Sequence, residues 1–215
     1  MKPLVVLIKG GGDLGSGVAH SLHRVGMCVL ITELPQPLVI RRAVSYASAI
    51  YQGTATVEGV TAERVADLQG IEAAWAAGRI AVLADPRAEI ARQLKPDVVV
   101  DATLAKRPDY TRLDEASLVI GLGPGFVAGQ HVHAVIETMR GHNLGRIITA
   151  GAAQPDTGIP DAVLGYTWER VLRAPAAGVF RAQSAIGEHV EVGQAVARVD
   201  EAPVVARIGG VLRGL

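Results

Sequence analysis

The chain has 215 residues, 49% hydrophobic and 20% charged, an ordinary balance for a globular protein. That length allows one large domain, or a domain of about 150 residues with a small appendage. Lys+Arg equals Asp+Glu at 21 each, so the basic excess of a nucleic-acid binder is missing, and no charge run marks a tail or a membrane patch. The one cysteine, Cys28, excludes an internal disulfide and a cysteine zinc cluster and suits a reducing cytoplasm.

Residues 4–8 form an apolar run too short for a secretory core, which needs about 7–15 residues, and are expected to be a strand. Leu14, Val18, Leu22 and Val25 then share a helical stripe closed by Gly26, with His20, His23 and Arg24 on the solvated face. A strand follows over 28–32. The crossover from Glu33 to Arg79 is long for a βαβ link. It is expected to carry a helix over 39–50, an extended piece over 54–57, and a further helix from Thr61 as N-cap. Strands are expected at 80–84, 98–101, 118–121 and 146–149. Most of these runs are continuous Val/Ile/Leu, as in strands buried on both faces of a parallel sheet. Residues 116–136 carry no Asp, Glu, Lys or Arg, but their glycines and Pro124 make a poor membrane span and imply a strand–loop–helix unit. Beyond a breaker cluster at 174–178, short alternating pieces at 179–181, 189–192, 195–199 and 204–208 imply a small all-β module. The expected organisation is an α/β domain with a doubly wound, mostly parallel, Rossmann-like sheet over 1–165 and a β module over 166–215.

The glycine pattern is the first chemical signal. Gly10, Gly12 and Gly15 make G-x-G-x-x-G within the run Gly10, Gly11, Gly12, Asp13, Leu14, Gly15. It follows a buried strand and opens a helix, and the next strand ends at Glu33, close to the roughly 20-residue offset of the dinucleotide fingerprint. Glycines let the backbone approach a pyrophosphate, and the helix N-terminus supplies free N–H groups and a positive dipole end. A carboxylate at Glu33 would accept ribose hydroxyls and disfavour a 2′-phosphate. Asp13 faces the ligand or caps the first turn.

Other polar residues fall at the carboxyl ends of the expected strands, where ligands of such sheets bind. Asp85 follows the third strand. Asp101, Thr103 and Lys106 follow the fourth, although Asp101 is equally suited to cap a turn. Gly123, Pro124, Gly125 and Phe126 follow the fifth and form a second candidate anion cradle. His131 and His133, with His142 nearby, have no assigned role, and no metal site is expected. There is no G-x-S-x-G elbow and no Walker lysine, and Tyr110 has no lysine four residues on. Cys28 lies within a strand, away from any activating environment.

The stretches KGGGDLGSGVAHSLHRVG, ELPQPLVIRRAVSYASAIYQG, VEGV, VVVDATLAKR, VIGLGPGFVAGQHVHAVIETMRGHNLGRII and ERVLRAPAAGVF resemble the YqeB-type proteins of the selenium-dependent molybdenum hydroxylase system. That family is related to the XdhC/CoxF maturation factors. The likeness runs over nearly the whole chain. It implies an accessory factor for molybdenum hydroxylases that binds molybdopterin or molybdopterin cytosine dinucleotide. Its partners would be an apo-hydroxylase and a sulfur-donating desulfurase. Residues 186–199 resemble half of a biotinyl/lipoyl-like barrel. The relatives continue past GGVLRGL with a second half, so the module is expected to be incomplete at the C-terminus, completed by a partner, or poorly ordered. The four lysines, Lys2, Lys9, Lys95 and Lys106, all precede it, so it carries neither biotin nor lipoate.

The sequence therefore leads to a cytoplasmic protein that binds a dinucleotide over residues 10–15, with Glu33, Asp101, Lys106 and residues 123–126 completing the site. The alternatives are an NAD-dependent oxidoreductase, for which no proton donor is evident, and a non-catalytic nucleotide sensor. Neither a nucleic acid nor a membrane is expected as partner, and a homo-oligomer stays open.

Overall fold

The computed structural model describes residues 2–106 and 110–215. The chain divides into two compact units, Met1–Asp156 and Thr157–Leu215. In chain order the first contains β1 (Val5–Lys9), α1 (Asp13–Arg24), β2 (Cys28–Glu33), α2 (Ala49–Gln52), β3 (Thr54–Val57), β4 (Val60–Val65), α3 (Leu68–Ala76), β5 (Ile80–Ala84), α4 (Ala91–Leu94), β6 (Val98–Asp101), β7 (Leu118–Leu122), β8 (Val127–Ala128), β9 (Ala134–Ile136), β10 (Ile147–Ile148) and β11 (Gly151–Ala152).

Nine strands form one mixed sheet in the order β10-β9-β7-β6-β1-β2-β5-β4-β3. The seven from β9 to β4 run parallel, and β10 and β3 close the edges antiparallel. Side chains alternate across the pleat. Val6, Ile8, Val29, Ile31 and Val82 join Ala19 of α1 and Ile50 of α2 on one face. Leu7, Leu30, Leu83 and Val99 join Ile71 and Ala74 of α3 on the other. Helices thus cover both faces, which is why the strands read as unbroken apolar runs.

The expected α1 stripe is only half right. Val18 and Leu22 pack on the core, but Leu14 and Val25 are exposed. The buried edge is made of the small residues Gly15, Ser16 and Ala19, which lets the helix lie close to β1. Gly26 closes α1 at φ +87° and donates its N–H to the His23 carbonyl.

The crossover differs from expectation in two places. Residues 39–50 do not form one helix. They make two short 3₁₀ turns, Arg42–Val44 and Tyr46–Ser48, and then α2. The Tyr46 and Ala47 N–H groups donate to Ser16 Oγ and the Gly11 carbonyl, acceptors outside the segment, so a continuous ladder cannot form. Thr61 starts no helix. Glu58 and Gly59 both have positive φ, 46° and 81°, as the two-residue turn of a hairpin demands. They join β3 to β4 with Val57 opposite Val60. The helix begins at Asp67, whose Oδ1 accepts the Gly70 N–H at 2.8 Å.

Residues 116–136 form strand–loop–strand rather than strand–loop–helix. His131 Nδ1 accepts the Val127 N–H at 3.1 Å and His133 Nδ1 accepts the Val119 N–H at 3.0 Å. These rings therefore stabilise the turn and the strand. Among the described residues no helix is long and apolar enough to cross a membrane.

The second unit contains β12 (Phe180–Ala182), β13 (His189–Val190), β14 (Ala195–Val199), β15 (Ala202–Val205) and β16 (Gly210–Val211). They pair antiparallel as β12-β14-β15 and β13-β16. Its core is Val190, Val196, Ala197, Val199, Val204 and Ala206, with Leu172 and Leu212 against it.

Candidate functional site

The strand order changes direction at β1. The chain passes from β1 outward through β2 and β5 on one side, and later adds β6, β7 and β9 on the other. In such sheets a crevice opens beyond the carboxyl ends of the strands at that point. Here it is bordered by Gly10, which follows β1, by Glu33 at the end of β2 and by Asp101 at the end of β6.

The glycine loop is built on close approach. Gly10 has φ +90°, and its N–H donates to the Thr32 carbonyl at 2.8 Å, extending the ladder by one residue. A Cβ on Gly15 would stand 2.0 Å from the Gly10 carbonyl oxygen, so α1 rests directly on the loop. Ser16 Oγ donates to the Gly11 carbonyl at 2.9 Å and accepts the Tyr46 N–H at 2.8 Å, which ties residues 45–47 across the loop. Glu33 turns back onto it. Its Oε2 accepts the Gly11 N–H and its Oε1 the Leu34 N–H, each at 2.7 Å.

Gly12 is the N-cap of α1 and provides no side-chain cap. The N–H groups of Gly12, Asp13 and Leu14 have no acceptor among the described residues. They form the positive end of a twelve-residue helix. Asp13 does not cap this end, because its Oδ2 pairs with Arg41 Nη1 at 2.7 Å. A Cβ on Gly12 would meet only Val39, at 3.6 Å. This donor set fits a phosphate held by backbone amides.

Behind the loop lies a cluster that the motifs did not reveal. Lys9 and Asp101 are cross-strand neighbours and only 2% and 1% exposed. Lys9 Nζ donates to Thr111 Oγ1 at 2.8 Å and pairs with Glu115 Oε2 at 2.6 Å. Thr111 Oγ1 donates to Asp101 Oδ2, and Thr103 Oγ1 to Asp101 Oδ1, both at 2.6 Å. The ammonium also sits 4.8 Å from the Tyr110 ring centroid, a cation–π contact. Burial raises the Tyr110 hydroxyl above its ordinary range and Asp101 adds to this; a Thr103 hydrogen bond works against it, and Glu115 and Glu33 raise it further. The phenol therefore keeps its proton at neutral pH.

The structure brings Glu33 onto the Gly10–Gly12 loop and places Asp101 beside it through Thr103. A Cβ on Gly10 would meet the Thr103 backbone at 3.2 Å. Asp101 itself is enclosed. Its oxygens are occupied by Thr103 and Thr111, so it organises the crevice instead of facing a ligand. Asp85 accepts the Ile90 N–H and serves as a turn cap. Lys106 is exposed and ion-paired with Asp156. The Gly123–Pro124–Gly125 turn packs against the Lys106 segment, since a Cβ on Gly125 would meet the Ala105 carbonyl oxygen at 2.5 Å. Phe126 does not face the crevice as expected: it is fully buried with its ring against Gly121, so it anchors the turn from the core side. Cys28 begins β2, at the strand end opposite Glu33. Among the described residues no three His, Cys, Asp or Glu side chains gather as a metal site.

Glu137 is a further buried carboxylate, 2% exposed. Oε1 accepts the Met139 N–H at 2.7 Å and Oε2 the Gln154 N–H at 2.8 Å. Burial pushes its carboxyl upward, but the N–H groups of Gln154, Met139 and Thr138 outweigh burial and hold it below its ordinary value. Such a carboxylate contributes stability in full above its unfolded value, about 4.3, and loses it as pH falls through the lower folded value. Glu137→Gln is expected to cost ~2 kcal/mol at pH 7. In urea titrations that gap should close as pH drops below about 4; a gap independent of pH would show that the charge is immaterial.

No family model matches the chain, and no solved structure matches it. Over 211 residues, 98% of the chain, it is 44% identical to a curated Escherichia coli (strain K12) protein described as the uncharacterized protein YqeB. The chain spans 39% of that protein's length. The likeness to YqeB read from the motifs therefore holds along almost all of this chain.

Proposed function

We propose that the first unit is a Rossmann-like dinucleotide-binding domain and that the chain serves as an accessory factor in the maturation of molybdenum hydroxylases. The observation that carries the binding reading is the open first turn of α1 at the point where the strand order reverses. Among the described residues three amides there lack acceptors and no side chain caps them, and Glu33 stands behind them. A pyrophosphate would rest on Gly10, Gly11, Gly12, Asp13, Leu14 and Gly15. The ligand chemistry supported by this loop is a dinucleotide, and the YqeB likeness directs the choice toward molybdopterin or its cytosine dinucleotide. The kinship with XdhC/CoxF factors, the apo-hydroxylase and desulfurase partners, and a cytoplasmic location belong to the same proposal. The β module, a biotinyl/lipoyl-like half-barrel in this reading, would offer a protein contact.

The second reading is an NAD-dependent oxidoreductase, favoured by Tyr110, a protonated phenol near the loop. Purification from a host that makes molybdenum cofactor, followed by mass spectrometry of molecules released on denaturation, separates the two. Release of a pterin or its cytosine dinucleotide supports maturation, and release of NAD supports the oxidoreductase. Gly12→Asp is expected to leave the fold intact, given the open space at this position, and to reduce the released ligand at least tenfold through charge and bulk. Unchanged ligand content in the folded variant would remove the loop from the site.

A further inference from the structure

The carboxyl ends of three adjacent strands, β2, β1 and β6, line the crevice in that order. Glu33 ends β2, the glycine loop follows β1, and Asp101 ends β6 and holds Thr103 by its backbone and side chain. A ligand whose phosphates rest on the middle strand has two ends to place. One lies toward Glu33. The other lies toward Thr103 and Tyr110, where nothing has been assigned.

The Tyr110 side of the crevice has a definite chemical character. Tyr110 is half-buried, and its ring is held on the Lys9 ammonium. Lys9 is fixed in turn by Thr111 and Glu115, so the aromatic side chain has a rigid support. The Lys9 charge is already matched by Glu115, and Asp101 and Glu33 act on Tyr110 as well. Among the described residues carboxylates outnumber the cation here, so an anionic group is disfavoured and a neutral or cationic one is accepted. The phenol hydroxyl already shares a hydrogen bond with Thr103; since a phenol both donates and accepts, its remaining capacity matches one polar atom of a carboxamide or ring amide.

We infer that Tyr110 is a ligand-contacting residue that binds the non-phosphate end of a dinucleotide, a polar, non-anionic heterocycle, on the β6 side of the glycine loop. Lys9, Thr111 and Asp101 are its positioning residues. This rests on the glycine-loop reading and adds the ligand's orientation: sugar and base at Glu33, phosphates on residues 10–15, second ring at Tyr110.

The test uses NAD⁺ and ADP-ribose, which share everything except the nicotinamide ring. Each is titrated by calorimetry into the wild-type chain, Tyr110→Phe and Gly12→Asp. Tyr110→Phe keeps the ring on Lys9 and removes only the hydroxyl, and Tyr51→Phe is the surface control. The expected result is that Tyr110→Phe weakens NAD⁺ at least fivefold and leaves ADP-ribose unchanged, whereas Gly12→Asp weakens both. Equal NAD⁺ affinity in Tyr110→Phe overturns the inference while the loop reading stands. Equal weakening of both probes also overturns it, because the hydroxyl would then matter to the fold alone. Failure of both probes to bind the wild-type chain overturns the loop reading for these nucleotides, and the inference falls with it.

Discussion

Gly15→Ala is expected to destabilise the first unit by about 4 kcal/mol, at the severe end for a single methyl group. The added Cβ would lie 2.0 Å from the Gly10 carbonyl oxygen and 3.2 Å from the Ala102 Cβ. The first neighbour is backbone at the end of the central strand, so no side-chain rotation relieves it. α1 would have to lift from β1, and the hydrogen bonds that Ser16 Oγ donates to the Gly11 carbonyl and accepts from the Tyr46 N–H would be lost as it did so. Gly17 is the internal comparison. It lies two residues on in the same helix with nothing within 4 Å of an added Cβ. Gly17→Ala should therefore stabilise by about 0.5–1 kcal/mol, the ordinary helix preference of alanine over glycine. Chemical denaturation of the two variants should shift the midpoint in opposite directions. Shifts of the same sign would mean that helix propensity, not contact with Gly10, governs position 15.

Lys9→Met is expected to cost about 3 kcal/mol, the lower end for breaking a buried ion pair. The methionine fills a similar volume, so the loss is chiefly electrostatic. Asp101 and Glu115 would face each other's field without the cation, and Thr111 would lose a donor. Glu115 is 18% exposed and can take up water, which keeps the cost from reaching the upper end. Adding Glu115→Gln to Lys9→Met should recover about 1 kcal/mol or more as a coupling energy. Strict additivity in urea denaturation would show that the 2.6 Å contact contributes nothing beyond packing.

The two variants mark where the sequence is informative and where it is silent. The central strands were legible because burial on both faces leaves only one composition open to them, and residues 28–32 or 80–84 have no other reading. The glycine loop was legible because its pattern sits between such a strand and a helix. Lys9 carried no signal. It flanks a run of glycines, and its partners Thr111 and Glu115 come much later in the chain, on a connection without a motif. The crossover departs from its local periodicity for a related reason. Tyr46 and Ala47 donate to acceptors on α1 and on the loop before it, so local periodicity could not foresee a broken helix. The Glu58–Gly59 turn was legible in principle, as an acidic residue before glycine between two alternating runs, yet the Thr61–Glu63 spacing imitated a helix start. The Gly-Pro-Gly before Phe126 points this residue toward the ligand. In a chain with two phenylalanines, the core's need for a large apolar side chain was the better guide.

The position of β1 has a consequence for how the chain is made. It leaves the ribosome before the other strands of its sheet, and it lies inside that sheet between β2 and β6. β2 can pair with it soon after synthesis, but the opposite edge waits until Val98–Asp101 emerges. Throughout that interval Val5–Lys9 presents a bare row of amide and carbonyl groups on one side, flanked by apolar side chains. Such an edge is open to misannealing with other nascent strands. Slow assembly dictated by non-local pairing would lengthen the exposure, and chaperone dependence during synthesis, not low stability of the finished sheet, would limit the yield of soluble protein.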